Sequence, residues 1–221
     1  VADFRNLRGL AAAAVLTGGF LLAPPAASGA GPFPAFTLPF ASGQEVTSAG
    51  IHADNKAAEV KNAIDLSPHD EVVRAPLAGT ARLQHCDEGD WVTVDHEGGW
   101  RTGYYHLEEI AVRDGQAVEA GTPLGKSGNA LPCGGTSTGA HVHFTLWTLP
   151  ANARDALESG EWDGLSYERV HGEFADAHGE PVDGKVFGGW RFDEGQGEYS
   201  GVATHVADGR VVELPGRFQY E

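Results

Sequence analysis

Between residues 63 and 148 the chain is written in short runs of alternating apolar and polar positions, cut by turns that carry glycine. Val72-Val73-Arg74-Ala75 leads to a turn at Leu77-Ala78-Gly79, and residues 80–86 lead to Asp87-Glu88-Gly89-Asp90. Residues 91–96 alternate and stop at Glu97-Gly98-Gly99; residues 100–106, 110–112 and 123–126 repeat the pattern, with turns at Asp114-Gly115 and Ser127-Gly128-Asn129. A period of two, with β-branched and aromatic residues inside the runs and glycine supplying positive φ between them, predicts short strands joined by tight hairpins. The fold class expected is all-β, with antiparallel sheets and at most one short helix, over residues 151–159.

The most chemical of these runs is Gly139-Ala140-His141-Val142-His143-Phe144, continuing through Thr145, Leu146 and Trp147. On a strand His141, His143, Thr145 and Trp147 share one face, and Val142, Phe144 and Leu146 share the other. Two imidazoles side by side on a rigid strand can set a metal ligand next to a proton-transfer group. Three partners stand elsewhere. His106 ends the run 100–106 in Tyr104-Tyr105-His106-Leu107. Asp65 is a lone carboxylate among apolar neighbours in Ile64-Asp65-Leu66-Ser67, where an unpaired charge would be costly. His52 follows Gly50-Ile51, thirteen positions before Asp65. There is no His-Glu-x-x-His helix, which excludes the zincin helix arrangement. Two histidines and one aspartate on strands and loops suit a catalytic zinc, which takes three N/O ligands and keeps a fourth position open.

With these residues in order, the chain resembles the beta-lytic branch of the lysostaphin-type zinc metalloendopeptidases, secreted enzymes that cut peptidoglycan peptides. The resemblance runs through the His52-to-Asp65 spacing, Trp100-Arg101-Thr102-Gly103-Tyr104-Tyr105-His106, Gly134-Gly135-Thr136-Ser137-Thr138-Gly139 and the His-x-His run. It continues into Phe187-Gly188-Gly189-Trp190 and Gly195-Gln196-Gly197-Glu198-Tyr199, and so spans roughly residues 36–221. It implies antiparallel sheets forming a groove with one zinc at its floor, held by His52, Asp65 and His143. It implies His106 and His141 as the two catalytic histidines outside the ligand set, and Tyr199 as a donor to the tetrahedral intermediate. Tyr105 is expected to line the same cleft and touch substrate. Residues 53–61 depart from the pattern: they lack the Gly, Ser and Tyr that relatives carry there.

The N-terminus reads as a signal peptide over residues 1–30. Arg5 and Arg8 make a basic start, residues 10–22 are apolar and alanine-rich, and Pro24, Pro25 and small residues lead to Ala30. That apolar run is shorter than the roughly 20 residues a spanning helix needs, so no stable membrane insertion is expected. Residues 31–45 read as an extended lead-in, and residues 46–221 as the catalytic domain. A secreted bacterial protein is therefore expected, and a monomer. Export suits the two cysteines, Cys86 and Cys133, which are expected to form a disulfide that pins the loop ahead of His141. A zinc role for the cysteines is the alternative. The remaining histidines, His69, His85, His171, His178 and His205, read as surface or strand-end residues, and His96 as structural.

Charge narrows the partners. Fifteen Lys and Arg stand against 31 Asp and Glu, a net charge of −16. Without residues 1–30, which hold two arginines and one aspartate, the balance is −17. Such a surface repels nucleic acid, which is excluded as a partner. It should also repel an anionic cell wall; it suits either plain solubility or a high-salt habitat. The reading reached is a zinc peptidase acting on bacterial peptidoglycan at glycine-containing cross-bridges or stem peptides. Two alternatives stay open: a peptidoglycan-binding regulator without catalysis, and a secreted endopeptidase acting on glycine-rich proteins.

Overall fold

The computed structural model describes residues 30–53, 60–149 and 178–221. Among these residues there is no helix, and every strand pairing is antiparallel. The short helix expected over residues 151–159 lies outside the described residues, as does the leader apart from Ala30.

The strands are β1 (Gln44–His52), β2 (Ala63–Pro68), β3 (Val72–Arg74), β4 (Gly79–Cys86), β5 (Gly89–His96), β6 (Trp100–Tyr105), β7 (Ala117–Val118), β8 (Pro123–Lys126) and β9 (Val142–Thr148). They continue as β10 (His178–Gly179), β11 (Lys185–Phe187), β12 (Trp190–Glu194), β13 (Gly201–His205), β14 (Val211–Leu214) and β15 (Gly216–Tyr220). The main sheet runs in the order β15-β1-β2-β9-β6-β5-β4-β7, with β10 on the end of β9. A second sheet is the meander β11-β12-β13-β14, and β3 with β8 makes a small ribbon.

The alternation read from the sequence sorts the two faces of the main sheet. Ile64, Leu66, Val92, Val94, Tyr104, Val142, Phe144 and Leu146 lie on one face and form the core. The second sheet packs on that face: Phe187 of β11 sits edge-on to Phe144 of β9, with ring centroids 5.4 Å apart. Residues 30–43 carry no strand, yet Phe36, Leu38 and Phe40 are buried in the same core. Trp100 ties this segment down, its indole N–H shared between the carbonyls of Gly31 (3.1 Å) and Pro32 (3.2 Å).

One strand expected from sequence is missing. Residues 110–112 are not paired in a sheet; the edge position is taken by the short β7, and Ala111 makes a single backbone bond to Leu124. Three residues are too few to tell a strand from an apolar loop by alternation alone.

Candidate metal centre and cleft

The other face of the main sheet carries the chemistry. Four strands put Gly50, Asp65, His143 and Tyr105 in one row, since Gly50 pairs with Asp65, Asp65 with His143, and His143 with Tyr105. His52 joins the row because of an irregularity in β1. Val46 and Ser48 face the core, and the register then shifts between Ser48 and Gly50. Beyond the shift Ile51 faces the core and His52 the cleft. Ala49 is the extra residue of a bulge that reverses the parity of the strand; strict alternation from Val46 and Ser48 would have pointed His52 into the core.

The outcome is a tight set of donors. His52 Nε2 and His143 Nδ1 each lie 2.9 Å from Asp65 Oδ1, and 2.9 Å from one another. Among the described residues this is the one group of three metal-capable side chains that close together. Burial pushes the Asp65 carboxyl up, but the hydrogen bonds and charges of His143 and His52 outweigh it and hold the group well below the usual carboxylate range. Two ring N–H groups donating to the one Asp65 oxygen crowd nitrogens that lie 2.9 Å apart. A cation in their place would take a lone pair from all three atoms. Zinc bound to nitrogen and oxygen at about 2.0–2.2 Å needs donors roughly 3.3 Å apart in a tetrahedron, so the triangle fits with a small expansion.

His106 and His141 stand beside this triangle. Their ring centroids are 4.5 Å apart, and His141 Nε2 is 3.6 Å from Asp65 Oδ1. Each has its Nδ1 against a backbone carbonyl, of Ala130 (2.9 Å) for His106 and of Gly139 (2.7 Å) for His141. A carbonyl only accepts, so Nδ1 carries the proton in both rings and Nε2 is left as the basic nitrogen. Burial lowers the His106 pKa to about 4, with the neighbouring histidines pushing the same way and the Ala130 bond opposing them. His106 is thus neutral near pH 7. It sits just past the end of β6 at φ 67°, a conformation unusual for a side chain of this size and one that clusters at functional sites.

Tyr199 closes the cleft from the second sheet. Its ring centroid is 4.7 Å from that of His52, and its φ is also in the left-handed region, at 60°. Burial and the anions Asp65 and Glu198 push its phenol up, so it remains a proton donor. The cleft, of about 580 Å³, is lined by His52, Asp65, His106, His141, His143 and Tyr199, with residues 136–140 as one wall.

Tyr105 is placed differently from the expectation of a cleft-lining residue. It is not among the lining residues. Its hydroxyl accepts from the Cys133 amide (2.7 Å) and donates to the Gly134 carbonyl (2.8 Å), bracing the wall loop from behind. Cys86 and Cys133 are bonded to each other, so the same loop is also tied to the end of β4. Of the histidines read as bland, His85 pairs with Asp90 at the surface, and His205 lies half-buried against Trp190. His96 is buried and away from the cleft, as its strand-end position suggested. Gly50 and Lys61, which contact the segment carrying Tyr199, have no motif that sequence reading could have singled out.

Residues 59–156 match the family model described as peptidase family M23. The chain is 49% identical over 79 residues to Protease LasA of Pseudomonas aeruginosa, covering 34% of this chain and 18% of that protein. It is 37% identical over 78 residues to beta-lytic metalloendopeptidase of Lysobacter enzymogenes, covering 34% of this chain and 43% of that one. It is 38% identical over 74 residues to peptidoglycan DD-endopeptidase ShyA of Vibrio cholerae, covering 33% and 16%. In each case the match spans less than half the length of the curated relative. Among solved structures, the M23 metalloprotease pseudoalterin superposes with a TM-score of 0.62 at 22% identity, over 86% of this chain and 99% of that one, a likeness of fold. Residues 59–156 thus carry a match to peptidase family M23, and over most of the chain the fold is like that of pseudoalterin.

Proposed function

We propose that this protein is a secreted zinc metalloendopeptidase that hydrolyses peptide bonds of bacterial peptidoglycan. The observation that carries the reading is the convergence of His52 Nε2, Asp65 Oδ1 and His143 Nδ1 beside two imidazoles that each leave Nε2 free. A zinc ion held by those three atoms would polarise a scissile carbonyl and acidify a water. Around it the chain's own groups have defined work. The Nε2 lone pair of His141 or His106 takes the proton of the attacking water and returns it to the leaving amine. The other imidazole and the Tyr199 hydroxyl face the side where negative charge develops on the carbonyl oxygen. The wall at residues 136–140 bounds the groove on one side, and glycine, with no side chain to place against it, is the residue expected in the substrate.

The substrate class draws on two supports: the peptidoglycan activity named for ShyA, and a cleft that, among the described residues, offers no Lys or Arg to an acidic side chain. The complete donor set favours an enzyme over a non-catalytic binding protein. The test is metal analysis of the purified protein together with digestion of purified walls, reading the masses of released fragments. One zinc per chain and release of peptide fragments are expected. Hydrolysis of glycine-rich proteins with no release from walls would sink the peptidoglycan assignment; absence of bound zinc would sink the enzyme.

A further inference from the structure

Residues 195–200 form a short strap between β12 and β13 that carries Glu198 and Tyr199 over His52. Its own bonds are few: the Gly195 amide to the Ser200 carbonyl (3.0 Å), the Ser200 amide to Gly197 (3.2 Å), and the Ser200 hydroxyl to Gly197 (2.6 Å). Left alone, so small a loop would not fix the height of a tyrosine that is 44% exposed. Two contacts fix it, one from β1 and one from the segment just ahead of β2. The carbonyl of Tyr199 rests directly on Gly50, where a Cβ would come within 2.0 Å of it. At the base of the strap the Lys61 ammonium donates to the carbonyls of both Gly195 (2.5 Å) and Gly197 (2.7 Å).

We infer that Lys61 is the positioning residue of the cleft: its ammonium clamps the strap and so sets Tyr199 in place beside His52. The choice of partners is the argument. In a chain with 31 acidic residues, this lysine pairs with no carboxylate among the described residues. Its charge goes instead to two backbone carbonyls two residues apart, a geometry that pins one loop and nothing else. Charge-assisted bonds of this kind are about twice as strong as neutral ones. Lys61 is also one residue from Asn62 and two from the start of β2, the strand that holds Asp65. The clamp therefore joins the strap to the element bearing a ligand of the candidate metal centre. The catalytic consequence rests on the role proposed above for Tyr199; the clamp itself does not.

Two variants, Lys61→Met and Lys61→Arg, in the full chain decide it. Hydrogen exchange reads the clamp without reference to catalysis. In Lys61→Met the amides of residues 195–200 are expected to exchange at least about tenfold faster, with zinc content unchanged. On a glycine peptide kcat is expected to fall roughly ten- to a hundredfold, the scale of a misplaced catalytic group, with KM little altered, and Lys61→Arg is expected to recover most of it. In a Tyr199→Phe background the same Lys61→Met change should cost almost nothing more, because residues acting as a unit are not additive. Unchanged exchange in the strap overturns the clamp. Faster exchange with an equal loss of kcat in both backgrounds overturns its action through Tyr199. Faster exchange in a protein whose unmutated form hydrolyses no peptide leaves the clamp standing and refutes the proposed function instead.

Discussion

Burial holds two imidazoles in this protein neutral, His96 and His106, and their surroundings give them opposite work. His96 donates through Nδ1 to the Ala78 carbonyl (3.0 Å) and accepts at Nε2 from the Thr102 hydroxyl (2.8 Å), which in turn accepts from Tyr104 (2.6 Å). No nitrogen is left over, and desolvation lowers the His96 pKa from 6.5 to about 4, with the Ala78 bond and Asp95 opposing it. Above pH 6.5 the folded and unfolded chains both hold this ring neutral. Between about 6.5 and about 4 only the unfolded chain binds the proton, so stability falls as pH drops, by about 3 kcal/mol over the whole interval. Urea titrations from pH 7.5 to 4.5 should show that slope in the wild type and a shallower one in His96→Gln. Equal slopes would place the proton elsewhere. His106 keeps Nε2 for chemistry, and at the candidate centre the expected variants divide by donor. His143→Ala should lose both zinc and activity. His106→Ala and His141→Ala should keep zinc and lose activity by at least about a hundredfold, as for general acid–base groups. Metal analysis of the three purified variants checks it: zinc retained at full stoichiometry in His143→Ala would undo the ligand set, and zinc lost from either of the others would move that histidine into it.

At the scale of elements, the strands decide where those residues point, and small breaks in regularity matter more than the regular parts. Gly50 is the clearest case. It sits at φ 121° just past the register shift of β1, with the Tyr199 carbonyl occupying the place of its missing side chain. Gly50→Ala should cost roughly 2 kcal/mol of stability or more, from backbone strain and overlap together. Gly139→Ala is the control: nothing lies within 4 Å of its added Cβ, and the change should stay within about 0.5 kcal/mol. Equal urea midpoints for the two variants would show that the strap yields without resistance. Strands β4, β5, β6 and β8 were legible from alternation and turn glycines, because one face is core and the other is not. His52, Asp65, His106, His141 and His143 were legible as a set, since each is a polar group in an apolar setting. The bulge at Ala49 was not, because one inserted residue leaves no mark in composition. Nor was the strap: Lys61 and residues 195–200 are more than 130 positions apart, and a lysine donating to carbonyls looks in sequence like any surface lysine. Tyr105 was misplaced for a related reason. Its strand parity puts it on the cleft face, and only the loop at Cys133 shows where its hydroxyl goes.

Over the whole molecule, charge and chemistry are separated. The chain carries −16, yet among the described residues the cleft lining holds one carboxylate, Asp65, with Glu198 at its edge 3.8 Å from His52. Among the described residues the other acidic side chains lie outside the cleft lining, where a large substrate would meet them first. Repulsion between exposed like charges reaches about 10 Å at 0.1 M salt and about 3 Å at 1 M. If the substrate is an anionic wall, docking should improve as salt rises, the reverse of what a basic protein would show. Cleavage of a short neutral glycine peptide should change much less, because it needs no long-range approach and the groups that act on it lie together in the cleft. Titrating sodium chloride from 0.05 to about 1 M while following both substrates in parallel separates the two terms. Wall digestion is expected to rise severalfold relative to peptide cleavage. A steady fall in wall digestion, with peptide cleavage flat, would mean that the docking face is locally basic and that the acidic residues point away from the wall.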